Sequence, residues 1–403
     1  MKFNKQELKM EGNSRIALFV VTLAIFTDML IYSMVVPVLP KYALELGTSP
    51  QLIGIMFASY AIAFLISTPA AGWISDRTGR RTTMIVGLAG LLISTMIFAG
   101  ADNIVMLTIA RALQGVSAAA TWTAGLALLS DLFPPQARQQ ATGTALAGSF
   151  AGILIGPTLG GFLLEFGGYR LPFIVAAGLI LIDGIARVFL LKDPAAKNHG
   201  DLVSVMALAK TPSVAITAGV ITLMAALSGM LEPILPLHLQ AQLHASPGSI
   251  GALFSMIAIT GIVCSPLSYM IADKCGRKRV IISGLIVSAI LLPFLVIQSS
   301  LIPELIIAIM IGASLSVVQA SIPQELTDAI DRKGKDGYGA AYALYNIALS
   351  LGMMIGPITG GLLTGSFGIF TAMSIAGAGI IVYTVILAAS TRPTIPTISG
   401  QAP

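Results

Sequence analysis

Ser67-Thr-Pro-Ala-Ala-Gly-Trp-Ile-Ser-Asp-Arg-Thr-Gly-Arg-Arg81 is echoed later in the chain by Pro266-Leu-Ser-Tyr-Met-Ile-Ala-Asp-Lys-Cys-Gly-Arg-Lys278, which sets Asp76 against Asp273 at an offset of 197. Two more pairs keep the same order. Gly156-Pro157 with Gly160-Gly161 returns as Gly356-Pro357 with Gly360-Gly361, offset 200, and Val36-Pro-Val-Leu-Pro40 returns as Glu232-Pro-Ile-Leu-Pro236, offset 196. Chance similarities do not hold register across half a chain, so the molecule is built as two copies of one unit.

Composition says what the unit is made of. The chain has 403 residues, 56% of them hydrophobic and 10% charged, whereas soluble domains run about 25% charged. A dozen helical spans of about 20 residues consume about 240 residues, which leaves short loops, two tails and no separate soluble domain. Apolar runs read against their breakers give twelve spans: 16–40, 50–74, 82–100, 104–131, 142–166, 169–191, 213–238, 248–272, 279–298, 303–324, 338–364 and 368–391. The first run is long, contains Asp28 and lacks a small-residue cleavage site, so it reads as a span and not as a cleaved signal. The expected fold is all-α and polytopic, with two pseudo-symmetric six-helix halves. Such repeats place a site near the bilayer midplane, between the halves.

Nineteen of the 23 Lys and Arg residues fall on one side of this arrangement, two (Lys41 and Arg170) on the other, and Arg111 and Arg187 lie inside spans. The positive-inside rule then puts both termini in the cytoplasm. The longest polar connection, 192–212, separates an N-terminal half (1–191) from a C-terminal half (213–391), with a tail at 392–403. Its stretch Leu202–Lys210 reads equally as a short surface helix or a plain linker. The net charge of +5 is scattered over loops and forms no stripe for nucleic acid. Cys264 and Cys275 form no CxxC, and His199, His238 and His244 fall in or near loops, so no metal or cofactor is expected.

Ionisable groups in hydrocarbon cost several kcal/mol each and need a reason. Asp28 sits about twelve residues into span one, near the midplane. It reads either as a permanent partner of an arginine or as a group in a water-filled cavity where protons and cations compete. Glu232, in span seven, is level by repeat register with Val36, about 12 Å nearer the outside than Asp28 at 1.5 Å per residue. Pro233 and Pro236 are expected to break that helix. The alternative for Glu232 is a gate-side hydrogen bond to the other half. Arg111 could stabilise a deprotonated carboxylate or make a structural hydrogen bond. Asp183 and Arg187, four apart, can pair on one face and read as mainly structural. Asp131, ending span four, either caps its helix or pairs in one conformation with Arg77, Arg80 or Arg81 as a latch.

Gly148, Gly152, Gly156 and Gly160 line one face of span five with Pro157 beside them, a spacing that permits close helix approach and a pliable seam. The loop with Gly72, Asp76, Arg77, Gly79, Arg80 and Arg81 is a compact turn at a helix end, and it lacks P-loop spacing. Interior aromatic and amide groups include Tyr32, Tyr60, Trp122, Phe254, Tyr342, Tyr345 and Asn346, and aromatic faces attract organic cations. Tyr342 and Asn346 are one helical turn apart.

Gly72-xxx-Asp76-Arg77-x-Gly79-Arg80-Arg81 resembles the loop 2–3 signature of the major facilitator superfamily, and the likeness runs along nearly the whole chain. Arg111-xx-Gln114-Gly115 is similar to the span-four motif of its proton-coupled members. The Gly148-to-Gly161 run resembles the span-five motif of its drug/proton antiporters. Asp28-Met-Leu, Val35-Val-Pro-Val-Leu-Pro40 and Met230-Leu-Glu-Pro-x-Leu-Pro236 most resemble the vesicular monoamine transporters. The resemblance implies amine recognition and proton exchange at Asp28 and Glu232, coupling through Arg111 and Asp131, and a cytoplasmic gate at Asp76. Departures are Tyr60 for the family's span-two lysine, Gln319 for its span-ten aspartate and Asn346 for its span-eleven aspartate. A short Lys41–Pro50 connection replaces its large glycosylated loop, which favours a bacterial plasma-membrane relative.

The expectation is therefore a monomeric, proton-coupled antiporter that exports amphipathic organic cations, including monoamines, cationic drugs and dyes. Its substrate contacts are expected at Asp28, Glu232, Tyr32, Tyr342 and Asn346, and Asp273 is expected to join the gate residues. The rivals are export of neutral drugs such as phenicols, uptake of a sugar or acid, an intramembrane enzyme, and a non-transporting membrane sensor. No GxSxG elbow or intramembrane histidine cluster supports the enzyme.

Overall fold

The computed structural model describes residues 12–192, 211–331 and 338–389, all of it helix and short connections. The proposed linker helix, most of the 192–212 connection, the tail 392–403 and the cations Lys2, Lys5, Lys9, Arg332, Lys333, Lys335 and Arg392 lie outside the described residues. In the first half the helices are α1 (Gly12–Met34), α2 (Leu39–Glu45), α3 (Pro50–Thr78), α4 (Arg80–Gly100), α5 (Ile104–Leu132), α6 (Pro135–Gly167) and α7 (Arg170–Leu190). In the second they are α8 (Pro212–Leu243), α9 (Pro247–Cys275), α10 (Arg277–Phe294), α11 (Leu301–Asp331), α12 (Tyr338–Phe367) and α13 (Ile369–Ala389). All of these but α2 are long. Counting α1 with α2 as one, eleven of the described helices are long and apolar enough to cross a membrane. The other, α10, has 18 residues and opens on Arg277, Lys278 and Arg279, which place its start at an interface.

Proline decides one break, and not where span seven led us to expect it. Span one divides: residues 35–38 form turns between α1 and α2, because Pro37 has no N–H and its ring crowds the carbonyl four residues back. The separated α2 is then tied to the neighbouring helix ends. The Tyr42 and Tyr169 rings stack at 3.5 Å, and their hydroxyls donate to the carbonyls of Ala101 (2.7 Å) and Phe98 (2.8 Å). Burial and the adjacent Tyr42 push the Tyr169 phenol well above its ordinary value, so this tie keeps its proton. By contrast α8 runs unbroken through Pro233 and Pro236. Met230, Leu231 and residues 233–236 are all buried, as are residues 31–40 around the break at Pro37, and nothing in the local burial explains why only one of the two helices breaks.

Each half packs in the same way. α6 lies along α1 and α12 along α8, with glycines at the crossings. Gly148, Gly152, Gly156 and Gly160 face the Thr22, Phe26, Leu30 and Met34 backbone, and Gly352 and Gly356 face Thr222 and Ala226. A methyl at these positions would overlap a backbone carbonyl, so only glycine allows the approach. Ser33 uses that closeness to donate to the Gly152 carbonyl at 3.1 Å.

The halves meet along two reciprocal seams, α3 with α12 and α6 with α9. Gly54 faces the Pro357 carbonyl and Gly361 the Pro50 carbonyl, while Gly251 faces Pro157 and Gly161 faces Pro247. The partners differ by 197 (251 − 54, 247 − 50) and 200 (357 − 157, 361 − 161), the same offsets the sequence repeats carry. Thr158 donates to Ser255 at 2.7 Å, Ser255 to the Leu154 carbonyl at 2.6 Å, and the Gly248 amide to Glu165 at 2.9 Å. These contacts all lie toward the end that carries Lys41 and Arg170, away from the loop of Arg77, Arg80 and Arg81. The structure is thus closed between the halves at the cation-poor end.

Candidate functional site

Four helices build the central cluster. Asp28 and Tyr32 are one turn apart on α1, Tyr60 comes from α3, and Arg111, Gln114 and Trp122 come from α5. Glu232 arrives from α8 of the other half. The Tyr32 hydroxyl donates to both carboxylate oxygens of Glu232, at 3.0 and 2.8 Å. This is the cross-half hydrogen bond that stood as the alternative reading of Glu232. The Tyr32 and Tyr60 rings lie 4.7 Å apart and tilted, with Met29, Phe64, Trp122 and Met353 packed around them. Met353 belongs to the second half, so the aromatic cluster straddles the interface.

Asp28 does not face a water-filled cavity in this conformation. It is 1% exposed, and the Trp122 indole N–H donates to its Oδ2 at 2.8 Å. Among the described residues no arginine forms an ion pair with it. The ring of Trp122 and the cluster about Met29 and Tyr32 close over the carboxylate, and a donor from α5 takes the place that water would fill. Trp122→Phe keeps the ring and deletes that donor. Since hydrogen bonds to charged groups contribute about 1.5–3 kcal/mol, we expect any ligand held by the Asp28 carboxylate to bind about tenfold or more weakly with the fold intact. Direct binding to purified protein measures this, and unchanged affinity would mean that the indole does not hold Asp28 for the ligand.

Arg111 is fully buried and forms no ion pair with either carboxylate. Its Nη1 donates to Gln114 Oε1 at 2.9 Å, and its guanidinium lies over the rings of Phe57 (4.7 Å), Tyr32 (4.9 Å) and Tyr60 (5.5 Å). The π-faces therefore carry much of its stabilisation. The ring of Tyr32 stands between this cation and Glu232, touching one by its face and the other by its hydroxyl. Arg111 thus acts on Glu232 both through space and through the tyrosine they share.

The Asp183–Arg187 pair forms at 2.6 Å with both side chains fully buried. Arg187 also donates to Met84 O and Thr121 Oγ1. Thr121 and Trp122 are adjacent on α5, so one helix turn addresses both this pair and Asp28. At the basic end Asp131 meets Arg80, and not Arg77, at 3.0 Å. Arg80 also reaches Asp76 at 2.5 Å and Ser75 at 2.9 Å. Arg77 instead covers the Trp73 ring at 4.0 Å, and Arg81 donates to the Val188 carbonyl. The conformation of the turn rests on Gly79, whose φ of 96° suits glycine. Asp273, the repeat partner of Asp76, is exposed at the end of α9 and has no ion-pair partner among the described residues.

Asn346 is exposed on α12, and the side chain of Tyr342 lies outside the described residues. His238 is not in a loop: it is buried inside α8 beside Glu304, a residue that the reading of the sequence passed over. Glu304 opens an apolar run at a helix start and there looks interfacial; only its 3.8 Å approach to His238, 66 positions away, reveals it. Among the described residues no group of three or more His, Cys, Asp or Glu side chains could hold a metal.

The sequence pattern of the Major Facilitator Superfamily matches residues 21–220 and again residues 217–403, once for each half. The chain belongs to the Major Facilitator Superfamily. As a superfamily member it is a multi-pass membrane protein of two six-helix halves. It is 29% identical to the synaptic vesicular amine transporter of Mus musculus over 330 residues, 81% of this chain and 63% of that protein. It is 28% identical to the vesicular acetylcholine transporter of Drosophila melanogaster over 403 residues, 89% of this chain and 68% of that one. The chain thus spans a little under two thirds of the length of the vesicular amine transporter it matches. A bacterial homologue of the human lysosomal transporter Spinster, solved inward-facing and unoccupied, superposes with a TM-score of 0.79 at 13% identity, covering 94% of this chain and 96% of that one. That likeness is one of fold.

Proposed function

We propose that this superfamily member is a proton-coupled antiporter that exports amphipathic organic cations by alternating access across a bacterial plasma membrane, with both termini cytoplasmic. The observation that carries the reading is the Tyr32–Glu232 bond. It joins a carboxylate of one half to the other half, one helical turn from Asp28 and inside an aromatic cluster. A cation with an aromatic body matches that chemistry at both ends: π-faces for its body, carboxylates for its charge. The kinship with vesicular amine transporters supports the same substrate class.

On this reading, substrate from the basic side reaches Asp28 and displaces its proton. The halves then rock, the seams at the cation-poor end part, and the Tyr32–Glu232 bond breaks. Protons from outside neutralise the carboxylates and release the cation. Arg80, Asp131 and Asp76 form the gate at the opposite end, and Arg111 tunes Glu232 through Tyr32. Exchange of two protons for one monovalent cation would move one net charge, worth roughly 2.3 kcal/mol per 100 mV of membrane potential.

The test is uptake of a labelled monoamine into proteoliposomes with an acid interior, using protein whose basic end faces outward. Accumulation that collapses when the pH gradient is dissipated is the expected result. Accumulation indifferent to the gradient, or equal transport of a neutral phenicol, would overturn the proposal. Binding with no flux would identify a sensor.

A further inference from the structure

One buried pair of ionisable groups plays no part in the central cluster. His238, near the end of α8, and Glu304, in the first turn of α11, have side chains 3% and 0% exposed, with Nε2 and Oε1 3.8 Å apart. Neither imidazole nitrogen and neither carboxylate oxygen has a hydrogen-bond partner among the described residues. The packed surroundings are aliphatic: Leu235, Leu239, Leu292, Leu295 and Ala308 belong to the same core. His238 is six residues beyond Glu232, about 9 Å along the helix axis, toward the cation-poor end.

Neighbouring elements supply no compensating charge among the described residues. On α2, which packs against α8, Lys41 pairs with Glu45 at 3.8 Å and Tyr42 donates to Ala101. At this level α3, α9, α10, α12 and α13 carry no ionisable side chain; the nearest in sequence are Tyr60, Cys264, Arg279, Tyr345 and Tyr383. Further groups at this end are Glu165, engaged by the Gly248 amide, and Asp102, Arg170 and His244, all exposed.

A buried pair with no other partner is constrained by its total charge. With no proton it carries −1, with two it carries +1, and with one it is neutral, as Glu⁻/His⁺ or GluH/His. The charged totals cost several kcal/mol in such a setting, so the single-proton form is favoured. A movement of about 1 Å would bring the two atoms to hydrogen-bond distance. We propose that His238 and Glu304 form a proton-binding site of their own, holding one proton between them and exchanging it with the medium at the cation-poor end, separate from Asp28 and Glu232. Loss of that proton leaves an unpaired negative charge in the core of the second half and loosens α8 against α11. The site thus limits the closed form of this half to media that keep it protonated. The inference stands independently of the transport reading.

The test is infrared difference spectroscopy of the full chain in nanodiscs, stepped from mildly acidic to strongly alkaline pH, together with melting temperature over the same range. Of the signal that the alkaline step removes, one proton's worth of carboxylic acid or imidazolium should belong to this pair. That signal should persist in Asp28→Asn/Glu232→Gln and vanish in His238→Gln/Glu304→Gln. The wild-type melting temperature should fall on the alkaline side, and the His238→Gln/Glu304→Gln profile should be flat there. Single Glu304→Gln, a near-isostere, serves if the double variant does not fold. An unchanged spectrum in the Glu304 variants would overturn the proposal, and so would a signal that follows sodium at fixed pH, which would assign an alkali cation instead.

Discussion

Asp28→Asn and Glu232→Gln should each abolish gradient-driven accumulation of organic cations, lowering the initial rate by about 100-fold or more. Truncating one member of a buried charge pair costs about 2–5 kcal/mol, and each 1.4 kcal/mol is a factor of ten. The substitutions keep shape and acceptor. After Asp28→Asn the new amide still offers a carbonyl to the Trp122 indole, and after Glu232→Gln it offers one to the Tyr32 hydroxyl. Folding should therefore survive, and the loss should be one of charge. Binding and counterflow separate the two carboxylates. Asp28, sealed behind Trp122 and clear of the interface bond, should govern cation binding. Glu232, bonded across the halves, should govern the transition, so Glu232→Gln should retain measurable binding while losing proton-driven flux. Binding and flux indifferent to both substitutions would sink the site and favour a neutral substrate.

The second large effect belongs to the seams. At Gly54 an added methyl would occupy the space of the Pro357 carbonyl, and at Gly251 that of the Pro157 carbonyl. Neither obstacle is a flexible side-chain end that could move aside. Gly54→Ala and Gly251→Ala should thus exclude the arrangement seen here and leave the form parted at the cation-poor end. Each half keeps its own core, so expression and helicity should hold while transport falls by about tenfold to 100-fold, the reach of 1–3 kcal/mol of overpacking. Single cysteines at Thr48 and Ala245, both buried here, should become accessible to an impermeant thiol reagent. Unaltered accessibility with normal transport would show that the seam relaxes cheaply. Substitution at Gly143, where no neighbour lies within 4 Å of the added atom, supplies the control.

Much of this architecture is legible in the sequence because it depends on local periodicity. The repeat offsets of 197 and 200 are the very ones that the residues of the two seams obey. Glycine at every fourth position in α6 announces a close crossing, and Asp183 with Arg187 announces a pair, because helical spacing alone sets both. What depends on tertiary packing is not legible in the same way. Pro37 breaks its helix and Pro233 does not, although both sit in the repeated Pro-x-x-Pro motif and both lie among buried residues, so burial does not separate them. Asp28 reads as a partner of an arginine or as a group in a water-filled cavity, and its donor is instead Trp122, 94 positions away. Arg111 reads equally as a carboxylate's counter-charge or as a structural donor, and the three aromatic faces it rests on come from tertiary packing. Glu304 carries no signal at all, since its meaning comes from a histidine on another helix.

The reciprocity of the two seams has a consequence for assembly. Each half offers a glycine groove and a proline carbonyl, and each receives the same pair from the other, as subunits do in an isologous dimer. The polypeptide joining them raises the effective concentration of one half for the other. Residues 1–200 and 201–403, produced as two separate chains in one cell, should therefore find each other in the bilayer and co-purify as a working heterodimer. Gly54→Ala or Gly251→Ala should weaken that reunion more than any change in the connection itself.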